Sequence, residues 1–116
     1  MVMMKTIERR DLEVKLQKSP GRTLLIDVRD RDDYEKLHIK GAISIPLEEL
    51  AMRAKAFDQD KEIILYCTNF QCDASTKAAK VLDNMGYTNV RDYKGGMADW
   101  REAGYETEGR VSARAA

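Results

Sequence analysis

Two cysteines are the only thiols in this 116-residue chain, and they stand close together as Cys67 and Cys72. Cys67 closes an apolar run, Ile63-Ile64-Leu65-Tyr66, that reads as a buried strand. After it the polar stretch Thr68-Asn69-Phe70-Gln71-Cys72-Asp73 leads into a helical pattern. A thiol at such a junction has chemistry open to it. Ligands of open α/β sheets bind beyond the carboxyl ends of the strands, and a following helix turns its positive end toward that crevice. A thiolate there is stabilised and becomes a nucleophile. The second thiol adds a choice, because a pair this close in sequence can also close a disulfide, which needs a Cα separation of about 4.4 to 6.8 Å.

The elements that must hold the pair follow from hydrophobic periodicity. Leu24-Leu25-Ile26-Asp27-Val28, between Pro20-Gly21 and a charged cluster at Asp30, Arg31, Asp32 and Asp33, reads as a buried parallel strand. A second short run, Ala42-Ile43-Ser44-Ile45, ends at Pro46. Leu47, Leu50, Ala51, Ala54 and Phe57 then share one helical face, with Pro46 near the first turn, where its missing donor costs little. Ala78, Val81, Leu82 and Met85 mark another helix over about residues 74–85, stopped by Gly86. Residues 89–93 are a candidate last strand, Gly95-Gly96 a turn, and residues 97–103 a short closing helix with the single Trp, Trp100. Near the N-terminus Leu12, Val14 and Leu16 alternate like a strand, but the surrounding Glu, Lys, Arg and Gln favour the helix that we assign. Strands alternating with helices predict an α/β fold with a mainly parallel central sheet. Residues 105–116 lack periodicity, which predicts a frayed tail.

Composition narrows the class. The length suits a single domain, and 43% hydrophobic residues suffice for one core. A formal net charge of zero gives no basic field for nucleic acid. No stretch approaches the roughly 20 apolar residues of a membrane helix. Charged residues from Glu8 onward interrupt any secretory leader, and two cysteines do not make a disulfide scaffold. The expectation is a cytoplasmic protein with reduced thiols, bound to neither nucleic acid nor membrane. Its oligomeric state is not encoded in these patterns.

Three ordered stretches carry a family resemblance: Leu25-Ile26-Asp27-Val28-Arg29; His38-Ile39-Lys40-Gly41-Ala42 leading to Ile45-Pro46; and Tyr66-Cys67 followed by Gly86-Tyr87-Thr88-Asn89-Val90 and Gly95-Gly96-Met97-Ala98-Asp99-Trp100. Together, over about residues 4–103, they resemble a single-domain rhodanese. The resemblance implies the rhodanese-like three-layer fold, with a five-stranded, mainly parallel sheet between helices. It implies that Cys67 is the catalytic cysteine, which takes sulfane sulfur from a donor, becomes a persulfide and passes the outer sulfur to a thiophilic acceptor, a thiol or a protein. Backbone amides of Thr68, Asn69, Phe70, Gln71, Cys72 and Asp73 would form an anion cradle, so neither a metal nor another cofactor is called for.

The loop also departs from the family pattern. The common single-domain loop has a glycine near its middle and an arginine followed by serine near its end, whereas this one has Phe70, Cys72 and Asp73 and is slightly longer. It is more similar to variants with a second loop cysteine. Without the arginine, and with Asp73 adding repulsion, a persulfide, a polysulfide or a protein-bound donor fits better than dianionic thiosulfate. Cys72 admits two readings: a thiol that resolves an oxidised or persulfidated Cys67 through a disulfide, or a partly buried thiol at a helix start. The rival function is a rhodanese-like binding or redox-sensing module in which Cys67 and Cys72 toggle between dithiol and disulfide. A phosphatase related to this fold would need an arginine where Asp73 stands.

The remaining reactive side chains read as framework. Cys67, Cys72 and the lone His38 leave a tetrahedral zinc site at least one ligand short. His38 falls in a structural motif between a helix and a strand, Asp27 and Arg29 form a polar pair at a strand end, and Trp100 with Met97 covers the core. Lys77 lies a helical turn beyond Asp73 and suits an ion pair of about 0.3 to 0.5 kcal/mol rather than an anion site.

Overall fold

A computed structural model describes residues 5–111. In chain order the elements are β1 (Lys5–Thr6), α1 (Arg9–Lys18), β2 (Thr23–Asp27), α2 (Arg31–Lys36), β3 (His38–Ile39), β4 (Ile43–Ser44), α3 (Leu47–Arg53), β5 (Glu62–Tyr66), α4 (Ala74–Asn84), β6 (Val90–Tyr93), α5 (Gly96–Glu102) and β7 (Thr107–Glu108). Short 3-10 turns follow α1, at Pro20–Arg22, and α3, at Ala54–Ala56.

Five strands form one parallel sheet in the order β1-β6-β5-β2-β4. The most apolar run, β5, occupies the centre. Its Ile63, Ile64 and Leu65 are almost wholly buried because helices cover both sides of the sheet, and only unbroken hydrophobic runs suit that position. Successive side chains feed opposite cores. Ile63, Leu65 and Cys67 join Val90, Leu50, Ala78, Ala79 and Leu82 on the α3 and α4 side. Ile64 and Tyr66 join Leu12, Leu25, Tyr93, Met97 and Trp100 on the other. The result is a three-layer α/β sandwich, and β5 delivers its carboxyl end, with Cys67, to the middle of one edge.

The expected helices and strands are present, with boundary changes of a few residues. The helix after Pro46 stops at Arg53 and tightens into its 3-10 turn, and the run at residues 42–45 yields only two paired residues. Gly86, at φ +96, ends α4 in the left-handed conformation that glycine alone adopts readily, while Tyr87 N–H returns to the Leu82 carbonyl.

The frayed-tail expectation is corrected over residues 105–111. There β7 pairs antiparallel with β3, joining Ile39 to Thr107 and His38 to Glu108. Arg110 and Val111 donate their amides to the carbonyls of Glu35 and Lys36. The anchor is aromatic rather than periodic: Trp100 donates its indole N–H to the Glu106 carbonyl at 2.8 Å and meets Tyr105 edge-on at 4.9 Å. Residues 112–116 of the expected tail, and residue 4 of the expected core, lie outside the described residues.

Candidate active site

Backbone contacts fix Cys67 from two sides. The Tyr66 carbonyl accepts from Val28 N–H at 3.1 Å, continuing the pairing with β2 one step past the strand. On the other side Met97 N–H donates to the Cys67 carbonyl at 3.0 Å and Ala98 N–H to the Thr68 carbonyl at 2.9 Å, so the first turn of α5 clamps the base of the loop. This close approach requires Gly96, whose φ is +65; a β-carbon there would lie 2.6 Å from the Cys67 carbonyl oxygen. Cys67 is 4% exposed, and the Thr68 hydroxyl lies 3.9 Å from its sulfur, within reach as a donor.

Beyond Thr68 the chain folds back on itself. Asn69 accepts twice, from Gln71 N–H on its side-chain oxygen at 3.0 Å and from Cys72 N–H on its carbonyl at 3.1 Å. The resulting turn carries Cys72 to Cys67, and the two are joined by a disulfide with a Cα separation of 6.3 Å. The sequence-based expectation of reduced thiols thus meets a loop that holds the pair in bonding contact. Among the described residues no cysteine is free.

The loop runs into α4 at Asp73. That residue occupies the N-cap but makes no side-chain cap, its carboxylate reaching instead toward Lys77 at 3.4 Å in an exposed ion pair. The first-turn amides of α4 are therefore not consumed by the cap, and the positive helix end remains able to stabilise negative sulfur next to it. Phe70, 70% exposed, projects from the loop. It lines a groove of about 280 Å³ with Arg9, Tyr93, Lys94, Gly95 and Asp99.

The other singled-out residues take structural places. Asp27 and Arg29 form a bidentate pair, with Arg29 also donating to the Leu37 carbonyl at 2.6 Å. His38 donates a hydrogen bond from Nδ1 to the Tyr34 carbonyl at 2.6 Å and stacks on the Tyr34 ring at 3.7 Å. Trp100 and Met97 are buried in the core. Among the described residues no group of three or more His, Cys, Asp or Glu is placed to hold a metal ion.

Two supports of the loop were not recognised as such from sequence, where Gly95-Gly96 read only as a turn. One is the Gly96 clamp. The other is Asp92 on β6, fully buried, whose Oδ2 accepts from the Thr76 hydroxyl at 2.7 Å while its Oδ1 is without a partner among the described residues. Lys94 lies 3.6 Å from the same carboxylate and donates to Thr76 at 3.0 Å. Asp92 follows Val90 at strand spacing, so alternation alone would have placed it inward.

The fold and the site geometry define a class, and the comparisons agree with it. Residues 11–103 match the family described as Rhodanese-like domain, and the chain belongs to that family. It is 35% identical over 92 residues to the HTH-type transcriptional regulator Rv0324 of Mycobacterium tuberculosis, covering 79% of this chain but only 40% of that protein. It is 38% identical over 76 residues to the thiosulfate sulfurtransferase PspE of Escherichia coli, covering 64% of this chain and 70% of PspE. The crystal structure of the BH2092 protein from Bacillus halodurans superposes with a TM-score of 0.88 at 33% identity, over 97% of this chain and 82% of that one.

Proposed function

We propose that this chain is a single-domain sulfurtransferase that carries sulfane sulfur as a persulfide on Cys67. The observation that carries the reading is the position of Cys67 at the carboxyl end of the central strand, beside the uncapped start of α4. Membership of the rhodanese-like family and the likeness to a protein named thiosulfate sulfurtransferase support it.

In the proposed reaction an external thiol reductant first opens the disulfide by thiol–disulfide exchange, becoming oxidised itself and leaving both cysteines as thiols. The Cys67 thiolate then attacks the outer sulfur of a donor R–S–SH, the donor's S–S bond breaks, and R–S⁻ leaves; a second thiolate later takes the outer sulfur from Cys67. The electron pairs stay on sulfur, so the chemistry calls for no metal or redox cofactor. Amides of Thr68, Asn69, Phe70, Gln71, Cys72 and Asp73 are the proposed cradle for the persulfide anion, and those of Gln71 and Cys72 must leave Asn69 to join it. Asp73 disfavours dianionic thiosulfate, which makes a persulfide or polysulfide the better donor and a thiol, free or on a protein, the acceptor. We assign the protein to the cytoplasm, with neither nucleic acid nor membrane as partner; no helix among the described residues is long and apolar enough to cross a membrane. Reduced protein mixed with glutathione persulfide should pass through a species heavier by one sulfur atom, removable by reductant. Equal loading of Cys67→Ser would overturn the assignment.

A second reading is favoured by the Cys67–Cys72 disulfide itself: a rhodanese-like module that senses oxidants through that pair and shows its state to a partner. Mild peroxide followed by thiol alkylation tests it, and retention of both free thiols would count against it.

A further inference from the structure

We propose that Cys72 discharges the Cys67 persulfide as hydrosulfide, making this domain a persulfide-to-sulfide reductase that couples sulfur release to closure of the loop disulfide. The proposal rests on the persulfide reading of Cys67 and adds a product, sulfide, and a partner class, a dithiol reductant.

The geometry that brings the two sulfurs together is built into the loop. Cys67 is fixed by Met97 N–H and Val28 on either side of its backbone, and Gly96 lets α5 close on it. Cys72 is delivered by the Asn69 turn, whose two hydrogen bonds release their amides to the persulfide and re-form as Cys72 closes on Cys67. The 6.3 Å Cα separation of the joined pair places Cys72 Sγ within bonding reach of Cys67 Sγ, the inner sulfur of a persulfide, without moving the strand. Cys72 also sits one residue ahead of the α4 N-cap, where the helix field favours its thiolate.

The step balances. The Cys72 thiolate attacks Cys67 Sγ, the bond from that Sγ to the outer sulfur breaks, and the outer sulfur leaves as HS⁻ with its own proton. The sulfane sulfur gains two electrons, and the two cysteine sulfurs lose two as their disulfide forms. The alternative attack, on the outer sulfur, would move the persulfide to Cys72 and release nothing. The joined pair favours the first route, because the loop already brings Cys72 Sγ against Cys67 Sγ rather than one bond beyond it. A dithiol reductant of the thioredoxin type is then required to reopen the disulfide for another turnover.

The test uses the full chain, reduced and freed of reductant, loaded anaerobically with one equivalent of glutathione persulfide. Sulfide is trapped with a bimane and the protein is weighed intact. Wild type should release one sulfide per chain, end with both thiols lost and no added sulfur, and turn over repeatedly once dithiothreitol is supplied. Cys72→Ser should keep the added sulfur and release none. In Asn69→Ala the ratio of sulfide released to sulfur loaded should fall several-fold, a change that a loss of loading or of stability alone would not produce. Wild type that retains its sulfur on Cys67 with Cys72 still a free thiol overturns the proposal while leaving the persulfide reading intact. Failure of Cys72→Ser to load, with its fold confirmed by circular dichroism, overturns the persulfide reading and this inference with it.

Discussion

Gly96 and Cys67 approach so closely that a β-carbon on Gly96 would stand 2.6 Å from the Cys67 carbonyl oxygen and 2.8 Å from the Thr68 carbonyl carbon. Both obstacles are backbone, and the Met97 and Ala98 amides that follow hold them in place. Gly96→Ala must therefore either push α5 off the loop or shift the end of β5. The left-handed φ of +65 adds about 1 to 2 kcal/mol for any residue with a side chain. With the clash included, the expected loss of stability is more than about 2 kcal/mol, read from chemical denaturation, and the sulfur loading of the folded fraction should fall with it.

Arg29 presents a different vulnerability. Its fork closes on an Asp27 side chain that has no exposed surface. Removing the cation leaves a buried carboxylate without its partner, a change that costs about 3 to 5 kcal/mol. Arg29→Met should show that loss in urea unfolding, and Arg29→Lys should recover less than half of it, because an ammonium cannot bridge both carboxylate oxygens and the Leu37 carbonyl in the same plane. An unchanged midpoint in Arg29→Met would remove the pair from the account of stability.

Thr76 holds one oxygen of the buried Asp92 at 2.7 Å. The other oxygen has no partner among the described residues, so this bond is the short one on which the carboxylate relies. Thr76→Val keeps the shape and removes the donor. The expected cost is about 1.5 to 3 kcal/mol, the range for a hydrogen bond to a charged group, and it should be larger than that of Thr76→Ser, which keeps the hydroxyl.

Much of this was legible in the sequence, and the parts that were not share a cause. The central strands and α4 were written in unbroken or periodic apolar residues, and Cys67 stood at a strand end that periodicity could locate. Lys5–Thr6 could not be read as a strand, because an exposed edge of two residues needs no hydrophobic signature; only its pairing with Arg91 and Asp92 creates it. The Gly96 clamp and the Asn69 turn are likewise relations between segments, one across the fold and one within a polar loop. The cysteine pair could be suspected from spacing, but the reversal at Asn69 that joins it depends on a side chain that composition does not distinguish from any other polar loop residue.

Acid should act through Glu62. Burial alone would push its carboxyl up, but Lys15 and Arg91, each at 2.7 Å, outweigh burial and hold it below the usual carboxylate range. A carboxyl depressed in the folded state contributes stability that is present in full above its unfolded value, near 4.5, and lost as the pH falls through the lower folded value. Wild type should therefore lose stability on acidification below that point. In Glu62→Gln this part of the acid limb should flatten, with urea midpoints compared between neutral and acidic pH. An acid limb of unchanged slope would assign the loss to other carboxylates.

The closing segment offers the sharpest contrast with what periodicity predicts. Deleting residues 105–116 removes the Glu106 carbonyl from the buried Trp100 indole, the Tyr105 ring from its edge, and the β7 partner from β3. An orphaned buried donor costs about 1 to 3 kcal/mol and a lost aromatic pair about 0.5 to 1.5, so the truncated chain should be less stable by roughly 2 to 4 kcal/mol. Tyr105→Ala isolates the aromatic part and should show the smaller loss. Because β3 and β7 lie outside the five-stranded sheet that carries Cys67, the truncated protein, assayed well below its lowered midpoint, should still load sulfur at the wild-type stoichiometry. Trp100 fluorescence reports the outcome directly: if its emission and the unfolding midpoint both match wild type after truncation, the segment does not anchor the core.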